Sequence, residues 1–195
     1  MYSVRIGIIS SIILIMLAGR VESAENKMEK WYTYWGLGIA NTTWPAPLDE
    51  AMDLVAALPG VSRTRLGMDL LGIYGPINPN MMVGVVINAA GDRLDDEQDS
   101  MQINLYTYAA SAQYFFKEIG SGLFCRGDLG MASASLLIDD NDQGTSESGL
   151  GILVGVGYAH PITSGTRIAL NLNYATRSIE GDSWNTLGIS LGGLF

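Results

Sequence analysis

The chain has 195 residues, a formal net charge of −9, 24 glycines, a single cysteine and only 16% charged residues. The length suits one domain, or one domain plus a removable leader. Its acidity excludes the electrostatic footprint of a nucleic-acid binder, and the lone Cys125 excludes an internal disulfide framework.

The one long apolar run covers residues 6–17, after Arg5 and before the small residues that precede Glu25. A short basic start, an apolar stretch and small residues at a cut site describe a secretory signal peptide. Cleavage after Ser23 or Ala24 fits, and an uncleaved anchor helix is the alternative. No cysteine follows the run, which argues against a lipoprotein anchor. The expected organisation is a signal peptide over residues 1–23 and one domain over residues 24–195. Removing Arg5, Arg20 and Glu22 leaves the mature chain more acidic still. Elsewhere no window reaches the ~20 apolar residues of a transmembrane helix.

From residue 31 onward the sequence reads with period two, the mark of strands whose faces meet different environments. Eight such segments follow one another: residues 31–40, 63–74, 81–90, 101–116, 123–137, 149–159, 167–177 and 184–195. In the second, Leu66, Met68 and Leu70 alternate with Arg65, Gly67 and Asp69. In the sixth, Leu150, Ile152, Val154, Val156 and Tyr158 alternate with Gly151, Gly155 and Gly157. A soluble protein would bury the bulky apolar face. A soluble lipocalin-like barrel would therefore need Lys and Glu on the other face, where glycines stand instead. In a lipid-embedded barrel the assignment inverts, with apolar residues outside and small or polar ones in the lumen. The fourth segment is ambiguous, because Ile103 and Leu105 share one face while Tyr106, Tyr108, Tyr114 and Phe116 share the other; a bulge near Tyr106 is expected to reconcile them.

The connections alternate in length. Short turns are expected over residues 75–80, 117–122 and 161–166, and longer loops over 41–62, 91–100 and 138–148, with 178–183 shorter. Short turns at one end and longer loops at the other are what outer-membrane barrels show. A bilayer demands internal pairing of every backbone group, hence a closed sheet. Eight strands enclose a bore that side chains fill. The first long loop carries a helical pattern over residues 47–58, with Asp49 and Glu50 in its first turn and Pro59-Gly60 at its end; it is expected to cap the mouth.

Three stretches carry a family resemblance: Gly-Leu-Phe-Cys-Arg-Gly-Asp-Leu-Gly over 122–130, Val-Gly-Val-Gly-Tyr over 154–158, and the alternating last strand ending in Phe195. They resemble small Gram-negative outer-membrane β-barrels of the OmpA/OmpX and related porin-like type. Gly193 departs from the pattern by standing where a second bulky residue is often found. The resemblance implies an all-β fold, an eight-stranded antiparallel up-and-down transmembrane barrel in the cell envelope. It also implies contact with outer-membrane lipid and lipopolysaccharide, and recognition of the last strand by the barrel-assembly machinery. The oligomeric state stays open.

The candidate sites follow from the predicted faces. Arg63, Arg65, Asp69, Arg126, Asp128, Arg167 and Arg177 fall on the lumen side and are expected to form one ion-pair network plugging the barrel, since buried charges need partners. Trp31, Trp35, Tyr114, Phe116, Trp184 and Phe195, with Trp44, are expected as interfacial aromatics. His160 is the only histidine, and with Ser164 and Glu118 it is the one conceivable hydrolytic set. The barrel enzymes of the family, however, are expected to work at the opposite rim. The acidic segments 92–99 and 139–147 lack the ligand spacing of a calcium loop and read as solvated. No catalytic residue, metal or cofactor is therefore assigned. The leading function is a non-enzymatic outer-membrane barrel with a structural or surface-interaction role; the alternatives are a narrow pore or small-ligand conduit, and a lipid-modifying enzyme.

Overall fold

The computed structural model describes residues 29–96 and 98–195, so the expected signal peptide lies outside the described residues. In chain order the elements are β1 (Tyr32–Thr43), α1 (Leu48–Ala56), β2 (Ser62–Asn78), β3 (Met81–Asp95), β4 (Ser100–Phe115), β5 (Gly122–Ile138), the short β6 (Asn141–Thr145), β7 (Gly149–Pro161), β8 (Arg167–Ile179) and β9 (Asp182–Leu194). Every neighbouring pair is antiparallel. β1 pairs with β9, and β4 with β5, so eight strands close on themselves with β6 as an appendage of β5. Closure leaves no strand edge in the wall, as a sheet in hydrocarbon requires.

Apolar side chains do face outward. Ile39, Val85, Leu129 and Val156 are all more than half exposed on the outer wall, which is the lipid-facing assignment read from the alternation. Small residues face in. At Gly38 an added Cβ would strike the carbonyl oxygen of Ile189, so the β1–β9 seam admits no side chain there. The expected bulge near Tyr106 is absent, and β4 runs in unbroken register against both β3 and β5. The register shifts fall instead at Tyr34/Gly36, Asp69/Leu71 and Pro76/Asn78. The ambiguity of β4 has another cause. Ile103 and Leu105 point inward with Thr107, Ser111 and Phe115, because the loop end of the lumen is itself an apolar layer.

The wall is lopsided. β2, β3, β4 and β5 have 17, 15, 16 and 17 residues, whereas β1 has 12 and β7, β8 and β9 have 13 each. Since ~9–11 tilted residues cross the hydrocarbon layer, β2–β5 stand well above it. The outward-facing residues there turn polar. Arg93, Gln102 and Asn104 are linked side chain to side chain, 3.3 Å for Arg93–Gln102 and 2.7 Å for Gln102–Asn104.

The loops are shorter than expected because the strands run further. β8 and β9 are joined by Glu180-Gly181 alone, with both residues at positive φ (55° and 89°), the two-residue turn that matches strand twist. Asp139 and Asp140 adopt the same conformation (50° and 60°) between β5 and β6. The acidic segment 139–147 thus supplies the turn and the second strand of a β-hairpin with the end of β5. Among the described residues no group of three His, Cys, Asp or Glu side chains is placed to hold a metal. The helix in the first loop is α1, and its Met52 is buried in the mouth.

Candidate functional site

The lumen is filled in three layers. At the end that carries the termini and short turns lies an apolar floor, with Tyr32, Tyr34, Tyr74, Met82, Phe115 and Phe124 among its members. Phe115 and Phe124 stack at 4.9 Å between ring centroids. Arg167 is fully buried here, its guanidinium 5.2 Å above the Tyr32 ring.

The middle layer is charged. β2, β4 and β5 aim Asp69, Ser111, Arg126 and Asp128 at one point of the axis. Arg126 donates from Nη1 and Nη2 to Asp69 (2.9 and 2.8 Å) and from Nε and Nη2 to Asp128 (3.0 and 2.6 Å). Ser111 caps Asp128, and the Tyr74 hydroxyl lies 3.0 Å from the Ser111 Oγ. Just above, within the same layer, Arg177 donates to Thr107 (2.8 Å), Thr186 (3.0 Å) and the side-chain Oδ1 of Asn88 (2.7 Å). The Asn88 amide in turn donates to Asp69 (3.2 Å). Beside Asn88, Asp69 and Arg177 lies a gap of about 30 Å³, room for a water or two.

The mouth forms the third layer. Arg63 donates to the buried Asp92 from Nε (2.9 Å) and Nη2 (2.7 Å), and to Asp53 of α1 from Nη1 (2.6 Å). Arg65 lies 3.4 Å from Asp92 and donates to Asn41 (2.6 Å). Trp44 donates its indole N–H to Asp92 (3.3 Å) and meets Trp184 edge-on, centroids 5.5 Å apart. Leu94, Ile103, Leu105, Ala134 and Met52 pack around this pair. Between α1, β4, β5, β6 and Trp184 the mouth opens into a pocket of about 450 Å³.

The seven lumen residues therefore do not form one network. Asp69, Arg126 and Asp128 meet directly, Arg177 joins them through Asn88, Arg63 and Arg65 form a second cluster around Asp92, and Arg167 lies in the floor over the Tyr32 ring. Sequence reasoning missed Asp92 by leaving it in the acidic segment 92–99. The signal was present, because Gly84, Asn88 and Asp92 share the inward parity of β3. Asp53 and Trp44 came without such a signal, since a loop has no parity.

Of the interfacial aromatics, Trp31, Trp35, Tyr114, Phe116 and Phe195 are exposed on the outer wall near the terminal end. Trp35 stacks on Phe195 at 6.4 Å, and Tyr114 meets Phe116 edge-on at 5.5 Å. A Cβ on Gly193 would collide with the Phe195 ring; the missing bulky residue is what lets Phe195 fold back towards Trp35. Trp184 and Trp44 depart from the expected girdle. Trp184 has the inward parity of Thr186 and Ser190, and both indoles pack in the mouth. His160 stands one residue before the end of β7, opposite Ile168, and no hydrogen bond joins it to Ser164 or Glu118.

Residues 10–195 match the family model described as the outer membrane protein beta-barrel domain. The solved structure of Neisserial surface protein A, from Neisseria, is similar at 17% identity and a TM-score of 0.59, covering 85% of this chain and 96% of that one. The attachment invasion locus protein Ail of Yersinia pestis, solved with the heparin analogue sucrose octasulfate, is similar at 10% identity and a TM-score of 0.54, covering 86% of this chain and 100% of that one. At such identities the likeness is one of fold. No curated protein matches the chain.

Proposed function

Because the chain belongs to the outer-membrane β-barrel protein family and sits in the bacterial outer membrane, we propose that it works as a non-enzymatic surface-interaction protein through its loop end. The observation that carries this reading is the filled lumen. An apolar floor, a middle filled by the Arg126 ion pairs and a helix-capped mouth crowd the lumen, which weighs against the narrow-pore alternative. What remains available to a partner is the loop platform. Its four loops hold thirteen of the twenty Asp and Glu residues, over residues 44–61, 95–100, 139–148 and 180–183, and no Lys or Arg. Such a surface attracts cationic partners and repels polyanions. It is thus suited to a ligand of opposite charge to the sulfated sugar held by Ail.

The test is a pair of measurements on the barrel in lipid: single-channel conductance in planar bilayers, and binding of a lysine-rich peptide against a heparin fragment. No discrete conductance, with salt-sensitive binding of the basic peptide alone, is the expected result. Discrete conductance steps would replace the reading with the conduit, and heparin binding would reverse the charge argument.

A further inference from the structure

We propose that the pocket in the mouth is a binding site for a small cationic amphiphile bearing an aromatic or branched apolar body, an ammonium head and a hydrogen-bond acceptor. The proposal rests on the loop end being the working surface and adds the class of ligand it takes.

The volume of about 450 Å³ falls within the ~300–1,000 Å³ of small-molecule sites. Its floor and one side are apolar, made by Leu48 of α1, Met101 and Ile103 of β4, Ala134 and Leu136 of β5, and the Trp184 ring of β9, and the β6 side is polar, with Gln143, Thr145 and Ser146. Those elements come from four separate parts of the chain, and their strands and caps hold the wall in place. Burial of an apolar body there contributes ~25 cal/mol per Å² removed from water.

The charge of the head follows from the rim. Glu180 lines the pocket, held at the tip of the β8–β9 turn by accepting the Glu147 backbone N–H at 3.0 Å. Asp139, Asp140 and Asp142 stand on the adjoining hairpin, and the one basic side chain among the described residues that pairs with this hairpin, Arg93, is shared between Asp95 and Asp140 (2.8 and 2.6 Å). A carboxylate-bearing ligand would enter against that field, and an ammonium would enter with it. An indole wall adds to the preference, since Trp offers the best aromatic face to a cation.

The acceptor follows from Trp184. Its indole Nε1 is buried without a hydrogen-bond partner, whereas the neighbouring Trp44 indole reaches Asp92. Buried Trp N–H groups normally find an acceptor, and a hydroxyl or carbonyl oxygen on the occupant would supply one after a small turn of the ring.

The experiment follows the Trp184 indole N–H by nitrogen-15 NMR of the labelled barrel in phosphatidylcholine nanodiscs, with the resonance assigned by loss in Trp184→Phe. The probe is phenylalaninol, and its anionic counterpart is 3-phenyllactate. Phenylalaninol should shift the resonance saturably, with 3-phenyllactate bound at least ~10-fold more weakly and Glu180→Gln weakening phenylalaninol about 3- to 10-fold. Ala134→Phe should abolish binding by filling the floor. Gln143→Trp fills the same space from an exposed position on β6 and keeps the test valid if Ala134→Phe does not fold. A non-saturating shift, equal response to both probes, or undiminished binding in Gln143→Trp would overturn the proposal. Its failure is separable from that of the surface reading, which stands or falls on conductance and peptide binding.

Discussion

In the middle of the lumen Arg126 meets two carboxylates with five donated hydrogen bonds, and each carboxylate has a further neutral partner, Asn88 for Asp69 and Ser111 for Asp128. In the mouth Arg63 and Arg65 share a single buried carboxylate, Asp92, and complete their shells with Asp53 and Asn41 at the water's edge. Trp184 leaves its N–H unmatched. The two regions use the same residue types and differ in how completely they are satisfied. The reason is access to water. A charge cluster sealed above and below has no solvent to fall back on, so every donor must be matched within the protein. The mouth can be left partly open because water or a ligand completes it. Unmatched atoms are not confined to the mouth, since Asn173 Oδ1 and Ser190 Oγ are also buried without a partner beside the middle layer; what sets the mouth apart is that its unmatched indole N–H stands beside a pocket.

The largest effect should come from breaking the middle. Asp69→Ala leaves Arg126 paired with Asp128 but takes the acceptor from its Nη1 and from the Asn88 amide at a buried site, a loss of ~2–4 kcal/mol. Guanidinium-induced unfolding, read by the gel shift between folded and boiled forms, measures it. The triple replacement Asp69→Leu, Arg126→Met, Asp128→Leu should lie much nearer the parent, because apolar packing can substitute for a buried ion pair when no charge is left alone. A triple variant as unstable as Asp69→Ala would mean that the layer specifies the barrel rather than merely filling it.

The same change in the mouth should cost less. Asp92→Asn removes the shared partner of Arg63 and Arg65 and weakens the acceptor for Trp44, but both guanidiniums reach solvent and Arg63 keeps Asp53. A loss of ~1–3 kcal/mol is expected. Hydrogen exchange should show it concentrated in α1 and the upper ends of β2 and β3, with β5, β7 and β8 unchanged. A loss as large as that of Asp69→Ala would erase the distinction between the two regions.

The wall of the barrel was legible because lipid on one side and a narrow bore on the other impose strict alternation. Leu66, Leu150 and Ile189 could be assigned outward without any knowledge of their neighbours. The charged middle was legible for the same reason, down to Asp69, Arg126 and Asp128. Legibility failed where alternation loses its meaning. Above the membrane β4 turns Ile103 and Leu105 inward beneath α1, and the outer face carries Arg93 and Gln102, so an apolar residue no longer signals lipid. A bulge was inferred where the environment, rather than the register, had changed. Trp184 was misplaced by its position near a strand end, although its parity with Thr186 already pointed inward. The two-residue turns at Asp139-Asp140 and Glu180-Gly181 hid behind acidic composition that reads equally well as a loose loop.

The smallest effect expected is at the outermost point of the comparison, the β3–β4 loop. Asp96 accepts the backbone N–H groups of Asp99 (2.7 Å) and Gln98 (2.8 Å), first Asp99 and then Gln98 holding its carboxyl below the usual aspartate range. A depressed carboxyl supports its loop above the ordinary value of ~3.9 and loses that support as pH falls through the depressed value. The Gln98 and Asp99 amides should therefore exchange faster, relative to their intrinsic rates, as the pH is taken from 6 towards 3, while the β3 and β4 amides below stay protected. Asp96→Asn keeps an acceptor oxygen and should abolish the pH dependence with most of the protection retained. Because the carboxyl is fully solvent-exposed and its effect confined to one turn, denaturant unfolding of the barrel should be the same for Asp96→Asn and the parent. A measurable change there would mean that the loops brace the tall wall of β2–β5 instead of merely decorating it.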